Sequence, residues 1–166
     1  MVQAILTGFM GSGKTTIGRA LADALNCAHL DLDELIVRRE ATPIRQLFAE
    51  RGEPFFRAIE TEMLTASLGR PGILSTGGGT LATPANEQLL KGHAAPVIYL
   101  KTSFAVISVR LKADRSRPLF RAGNANTRQL FQTRSLVYER SADVIVSTDG
   151  KAPAALVEEI RQKVSF

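Results

Sequence analysis

The chain has 166 residues, enough for one domain that buries a full core without staples. Its 45% hydrophobic and 22% charged residues exclude disorder as a global description, and its one cysteine, Cys27, excludes an internal disulfide and suits a reducing compartment. Lys and Arg number 21 against 16 Asp and Glu, a net charge of +5 that favours anionic partners, while 6% aromatics and no Trp speak against a platform for stacking single strands.

Apolar runs and helix-period segments alternate along the chain. Residues 2–6 read as a strand ending at Gly8. Residues 13–25 read as a helix with Ile17, Ala20, Leu21, Ala24 and Leu25 on one face. A short strand is expected at 28–32, then helical segments near 34–51 and 54–68, the first broken at the pre-proline residue Thr42. Residues 73–76 form a buried strand stopped by Gly77, Gly78 and Gly79. A helix near 84–91 follows Thr83, with Pro84 at its first position. A strand at 96–101 and a helix at 104–112 come next. Residues 113–126, rich in Arg, Gly and Asn, break the rhythm as a loop. A helix near 127–140, a strand at 143–146 and a helix near 153–164 complete the chain. No apolar run approaches the roughly 20 residues that span a bilayer.

Strands that are apolar throughout, alternating with helices, imply a parallel sheet covered on both faces. Ligands bind such sheets beyond the C-terminal strand ends. The residues of chemical interest fall there. Gly8-Phe9-Met10-Gly11-Ser12-Gly13-Lys14-Thr15 matches the phosphate-cradling P-loop, with a strand before it and an amphipathic helix after it. In that motif the backbone N–H groups take phosphate, Lys14 reaches the terminal phosphates and the Thr15 hydroxyl takes magnesium. Asp31 and Asp33 stand at the end of the second strand. One suits a magnesium site and the other the proton of a substrate hydroxyl, while Asp33 also suits a helix N-cap. Three adjacent glycines at 77–79 are costly in backbone entropy and suggest close approach of a ligand. Arg57, Arg117 and Arg134 have the planar donors that carboxylate and phosphate accept bidentately, but sequence spacing does not bring them together. His29 and His93 form no visible metal cluster, and Cys27 reads as a small core residue.

GFMGSGKTTIG at 8–18, LDLDELI at 30–36, FFRAIE at 55–60, STGGG at 75–79, RPLF at 117–120 and TRSLVYE at 133–139 together resemble the shikimate kinases, over nearly the whole chain. The resemblance implies an α/β/α P-loop fold of one domain with a five-stranded parallel sheet in the order 2-3-1-4-5. It also implies a substrate-binding region near 33–60 and a lid near 112–126. The implied reaction moves the ATP γ-phosphoryl group, with Mg2+, to the 3-hydroxyl of shikimate. Carried over by position, Gly11, Ser12, Gly13, Lys14, Thr15, Thr16, Arg110 and Arg117 would contact ATP. Thr15 and, through water, Asp31 would hold magnesium. Asp33, Arg57, Gly78, Gly79 and Arg134 would bind shikimate. Asp33, Lys14 and Arg117 would act in catalysis, and Glu60 would orient the neighbouring site arginine. One departure stands out: where the family often carries an arginine against adenine, this chain has Lys151, which cannot stack as a flat guanidinium does.

A cytoplasmic monomer that binds neither nucleic acid nor membrane is the matching expectation. Three alternatives remain: a kinase of another small hydroxy acid or polyol (gluconate-type) or of a nucleotide, a regulatory GTPase and a nucleic-acid module. The GTPase lacks its Asn-Lys-x-Asp guanine motif anywhere in the chain. The nucleic-acid module would bind with a steep salt dependence.

Overall fold

A computed structural model of the chain describes residues 1–114 and 125–166. Five strands form one sheet: β1 (Val2–Thr7), β2 (His29–Asp31), β3 (Gly72–Ser75), β4 (Val97–Lys101) and β5 (Val144–Ser147). Their order is β2-β3-β1-β4-β5 and every pairing is parallel. The helices are α1 (Lys14–Ala24), α2 (Leu32–Glu40), α3 (Ile44–Arg51), α4 (Glu53–Leu68), α5 (Pro84–Lys91), α6 (Phe104–Ala113), α7 (Ala125–Ser141) and α8 (Pro153–Lys163), with a short 3-10 turn at Thr80–Ala82.

The strands are apolar on both faces because both are covered. Ala4, Leu6, Ile73, Ile98, Leu100 and Val146 meet Ile17 and Leu21 of α1 and Leu156, Val157 and Ile160 of α8. Ile5, Leu74, Val97 and Tyr99 point the other way, into a larger core with Ile36, Phe56, Leu64, Leu90, Ile107 and Tyr138. Alternate side chains of one strand therefore feed two separate cores, which is the two-residue period of a pleated strand read through three layers.

The expected break at Thr42 is present. Ala41 takes a left-handed conformation at φ 50° and ends α2, and Pro43 is the N-cap of α3. The second strand is shorter than expected, and α2 begins already at Leu32. Asp31 is the reason: its Oδ1 accepts from the Asp33 and Glu34 amides, so Asp31, not Asp33, is the helix cap. The two acids consequently sit on different elements instead of side by side on one extended strand. Among the described residues no helix is long and apolar enough to cross a membrane.

Candidate active site

The C-terminal ends of β1, β2 and β3 open onto one cavity of about 200 Å³, lined by Met10, Gly11, Gly13, Lys14, Thr15, Thr16, Asp31, Asp33, Thr76 and Gly78. The P-loop forms its floor. Gly11 and Gly13 hold φ of 79° and 94°, a region closed to most side chains, and this turns the loop into the start of α1. Lys14 is buried, and its Nζ donates to the carbonyls of Gly8 at 2.8 Å and Phe9 at 3.0 Å. Arg110, from α6, donates to the Gly11 carbonyl at 2.7 Å, which puts a second cation at the loop rim.

Thr15 and Asp31 meet at the loop's far end, where the Thr15 hydroxyl donates to Asp31 Oδ2 at 2.7 Å. Asp31 thus uses one carboxylate oxygen to cap α2 and the other to face the P-loop. Two hard oxygens this close, beside a phosphate cradle, fit a magnesium ion that keeps most of its waters. Among the described residues no group of three or more His, Cys, Asp or Glu could hold a metal ion.

Gly78 of the glycine run also lines this cavity, and its neighbours Gly77 and Gly79 are each small for a definite reason. A Cβ on Gly77 would lie 2.8 Å from Asp33 Oδ1 and 3.1 Å from Glu60 Oε2. One on Gly79 would lie 2.5 Å from Arg57 Nη2 and 3.0 Å from Arg134 Nη2. The close approach expected at 77–79 is therefore, in this structure, an approach of the chain's own acid and arginines. Residues from α2, α4 and α7 converge on these two glycines.

Each arginine is held differently. Arg57 Nη1 donates to Glu60 Oε1 at 2.7 Å, and the other Glu60 oxygen accepts from the Thr80 hydroxyl at 2.8 Å. Glu60 is 1% exposed, so both of its oxygens are satisfied inside the protein. Arg134 stacks over Phe9 at 5.9 Å, and its buried Nε has no hydrogen-bond partner among the described residues. Burial, together with the Arg57 cation, lowers the pKa of Arg134 from its ordinary value. Two guanidinium groups near one glycine form a concentrated positive site for an anion.

Several expected residues thus come together: Gly11, Ser12, Gly13, Lys14, Thr15, Thr16, Asp31 and Arg110 around the P-loop, and Asp33, Arg57, Gly78, Gly79 and Arg134 around the glycine run. Arg117 and most of the expected lid lie outside the described residues. Lys151 is paired with Glu159 at 2.6 Å. Thr80, Phe9 and Tyr138 escaped the sequence reading. Each is an ordinary residue type whose signal is its partner in space, and Tyr138 sits within a quoted motif without a chemical cue of its own.

The shikimate kinase family model matches residues 10–165. A shikimate kinase of Sulfurihydrogenibium sp. is 39% identical over 160 residues, 96% of this chain and 95% of its own. The solved shikimate kinase of Acinetobacter baumannii in complex with shikimate superposes with a TM-score of 0.89 at 34% identity, covering 98% of this chain and 90% of that one. A gluconokinase of Sinorhizobium meliloti has a TM-score of 0.63 at 20% identity, covers 95% of this chain and 87% of its own, and is alike in fold alone. With a P-loop, a paired-arginine site and a family match over nearly its whole length, the chain belongs to the shikimate kinase family.

Proposed function

We propose that the chain transfers the γ-phosphoryl group of ATP to the 3-hydroxyl of shikimate, giving shikimate 3-phosphate and ADP on the chorismate route to aromatic amino acids. The observation that carries the reading is the convergence of Asp33, Arg57 and Arg134 on Gly77 and Gly79, one wall away from the P-loop. A hydroxylated carboxylic acid has the two functions this wall addresses.

Phosphoryl transfer asks the protein for positioning and charge neutralisation more than for covalent help. The P-loop amides, Lys14 and Thr16 bind the nucleotide phosphates, and Arg110 lies near the adenine. Thr15 and, through water, Asp31 hold Mg2+, which when bound adds neutralising charge at the phosphates. Arg57 and Arg134 take the substrate carboxylate, so that binding energy becomes orientation. Gly78 and Gly79 supply the backbone against which the ring lies. Asp33 aligns the attacking hydroxyl and accepts its proton. Glu60 keeps the Arg57 guanidinium aimed. By resemblance alone, Arg117 joins the phosphate side and residues near 112–126 cover the site. The whole chain acts as one kinase domain, with residues 33–60 as its substrate-binding region, in a cytoplasmic monomer.

A coupled ADP-release assay with ATP and magnesium, comparing shikimate with gluconate, nucleoside monophosphates and water, tests the reading. Shikimate-dependent release is expected. Release that ignores shikimate, or that prefers gluconate, would overturn it.

A further inference from the structure

Three consecutive glycines are the most permissive backbone a chain can have. A wall built from them needs an external restraint if it is to present the same surface at each turnover. Two of the three carbonyls are tied locally: Gly77 O accepts the Thr80 amide at 3.3 Å, and Gly79 O accepts the Ala82 amide at 3.0 Å. The middle carbonyl is tied from a distance. Tyr138 of α7, 60 positions away in sequence, donates its hydroxyl to Gly78 O.

Tyr138 is built to hold that bond. It is 1% exposed, its ring packs against Tyr99 of β4 at a centroid distance of 5.2 Å, and burial raises its pKa, so the phenol keeps its proton. It also lies four residues after Arg134, on the same face of α7. One helix face therefore delivers a guanidinium to Gly79 and a hydroxyl to Gly78. A trans peptide is planar, so a fixed Gly78 carbonyl also fixes the direction of the Gly79 N–H.

We propose that Tyr138 is a positioning residue for the substrate wall: its hydroxyl holds the Gly78–Gly79 peptide in register with the Arg57 and Arg134 guanidinium groups. It touches neither the nucleotide side nor the reacting atoms. The inference rests on the shikimate kinase reading of this wall. In that reading Gly79 and the two arginines face the acid end of the substrate, so loss of the tether falls on shikimate and spares ATP.

The test is Tyr138→Phe in the full chain, with Tyr99→Phe as the control for loss of a buried phenol that does not bond the glycine run. Losing one hydrogen bond to a buried carbonyl is expected to raise the shikimate KM by about 5–20-fold, while the ATP KM stays within about 2-fold. A merely structural role would lower the active fraction and leave both KM values in place. The carbonyl carbon of Gly78 supplies a second reading: its NMR shift is expected to be that of a hydrogen-bonded carbonyl in the unsubstituted enzyme and to move toward that of a free carbonyl in Tyr138→Phe. An unchanged shikimate KM, an equal rise in both KM values, or a Gly78 carbonyl shift typical of a free carbonyl before substitution would each overturn the proposal. The last of these needs no variant to fold. Absence of shikimate-dependent turnover in the unsubstituted enzyme would instead overturn the functional reading beneath it.

Discussion

Gly79 lacks a side chain because its neighbours occupy the space one would need, and this separates binding from stability at a single residue. Its φ of −103° suits alanine, so the backbone has no objection. The added methyl would instead meet Arg57 and Arg134. In a rigid core such crowding costs about 1–3 kcal/mol, but the ends of two arginines can swing aside. Gly79→Ala is therefore expected to leave the unfolding midpoint within a few degrees while the shikimate KM rises about 10-fold or more. A collapse in Tm with an unchanged KM would show that the wall serves folding instead. Asp33 makes the opposite prediction. Its isosteric variant Asp33→Asn keeps the shape and removes the proton acceptor, so kcat should fall about 10²-fold or more. Near-normal turnover would take the base role away from it. That these positions are candidates was readable from residue types. Which of Asp31 and Asp33 caps α2 was not, because it depends on where the helix begins: Asp31 takes the cap and leaves Asp33 in the first turn.

Helix α7 shows what an element adds. It carries Arg134 and Tyr138 to the glycine run, and one half-turn later Arg140 donates through Nε and Nη2 to both oxygens of Glu87 on α5, each at 2.7 Å. Lys91 and Ser141 also donate to Glu87. Arg140 first, then Lys91 and Ser141, hold its pKa down to about 2. A carboxylate whose folded pKa is depressed stabilises the protein above its unfolded pKa, and the contribution is lost as pH falls toward the folded value. The midpoint advantage of the unsubstituted chain over Glu87→Gln is thus expected to be full above about pH 5 and to shrink steadily as pH approaches 2. A difference independent of pH would mean that the tie is steric. The existence of α7 was legible from its helical period. Its register against Gly78 and Glu87 was not, because a solvent-facing and a site-facing arginine look alike in sequence.

Across the whole molecule, the +5 charge divides into two populations. Much of the outer surface is paired: Arg19 and Arg38 with Glu34, Arg39 with Glu62, Lys101 with Glu139, and Lys151 and Lys163 with Glu159. Exposed pairs of this kind contribute little to stability and are screened by salt. Arg57 and Arg134 point inward to the site, where fewer waters screen them, and the exposed Arg110 stands at its rim. Part of the excess of cations is therefore concentrated at the site, not spread evenly over the surface.

The sequence by itself determined the element order, the parallel sheet and the P-loop. Strand alternation, helical period, the Thr42–Pro43 break and the glycine spacing of residues 8–15 act over a few residues and need no partner to be read. Only the tertiary structure decided that Asp33, Arg57 and Arg134 share one wall, that Asp31 joins α2 to Thr15, and that Tyr138 holds Gly78. Those contacts join segments far apart in the chain. They exist because α2, α4 and α7 pack around one end of the same sheet, and that packing is set by the filling of two cores, not by any local pattern.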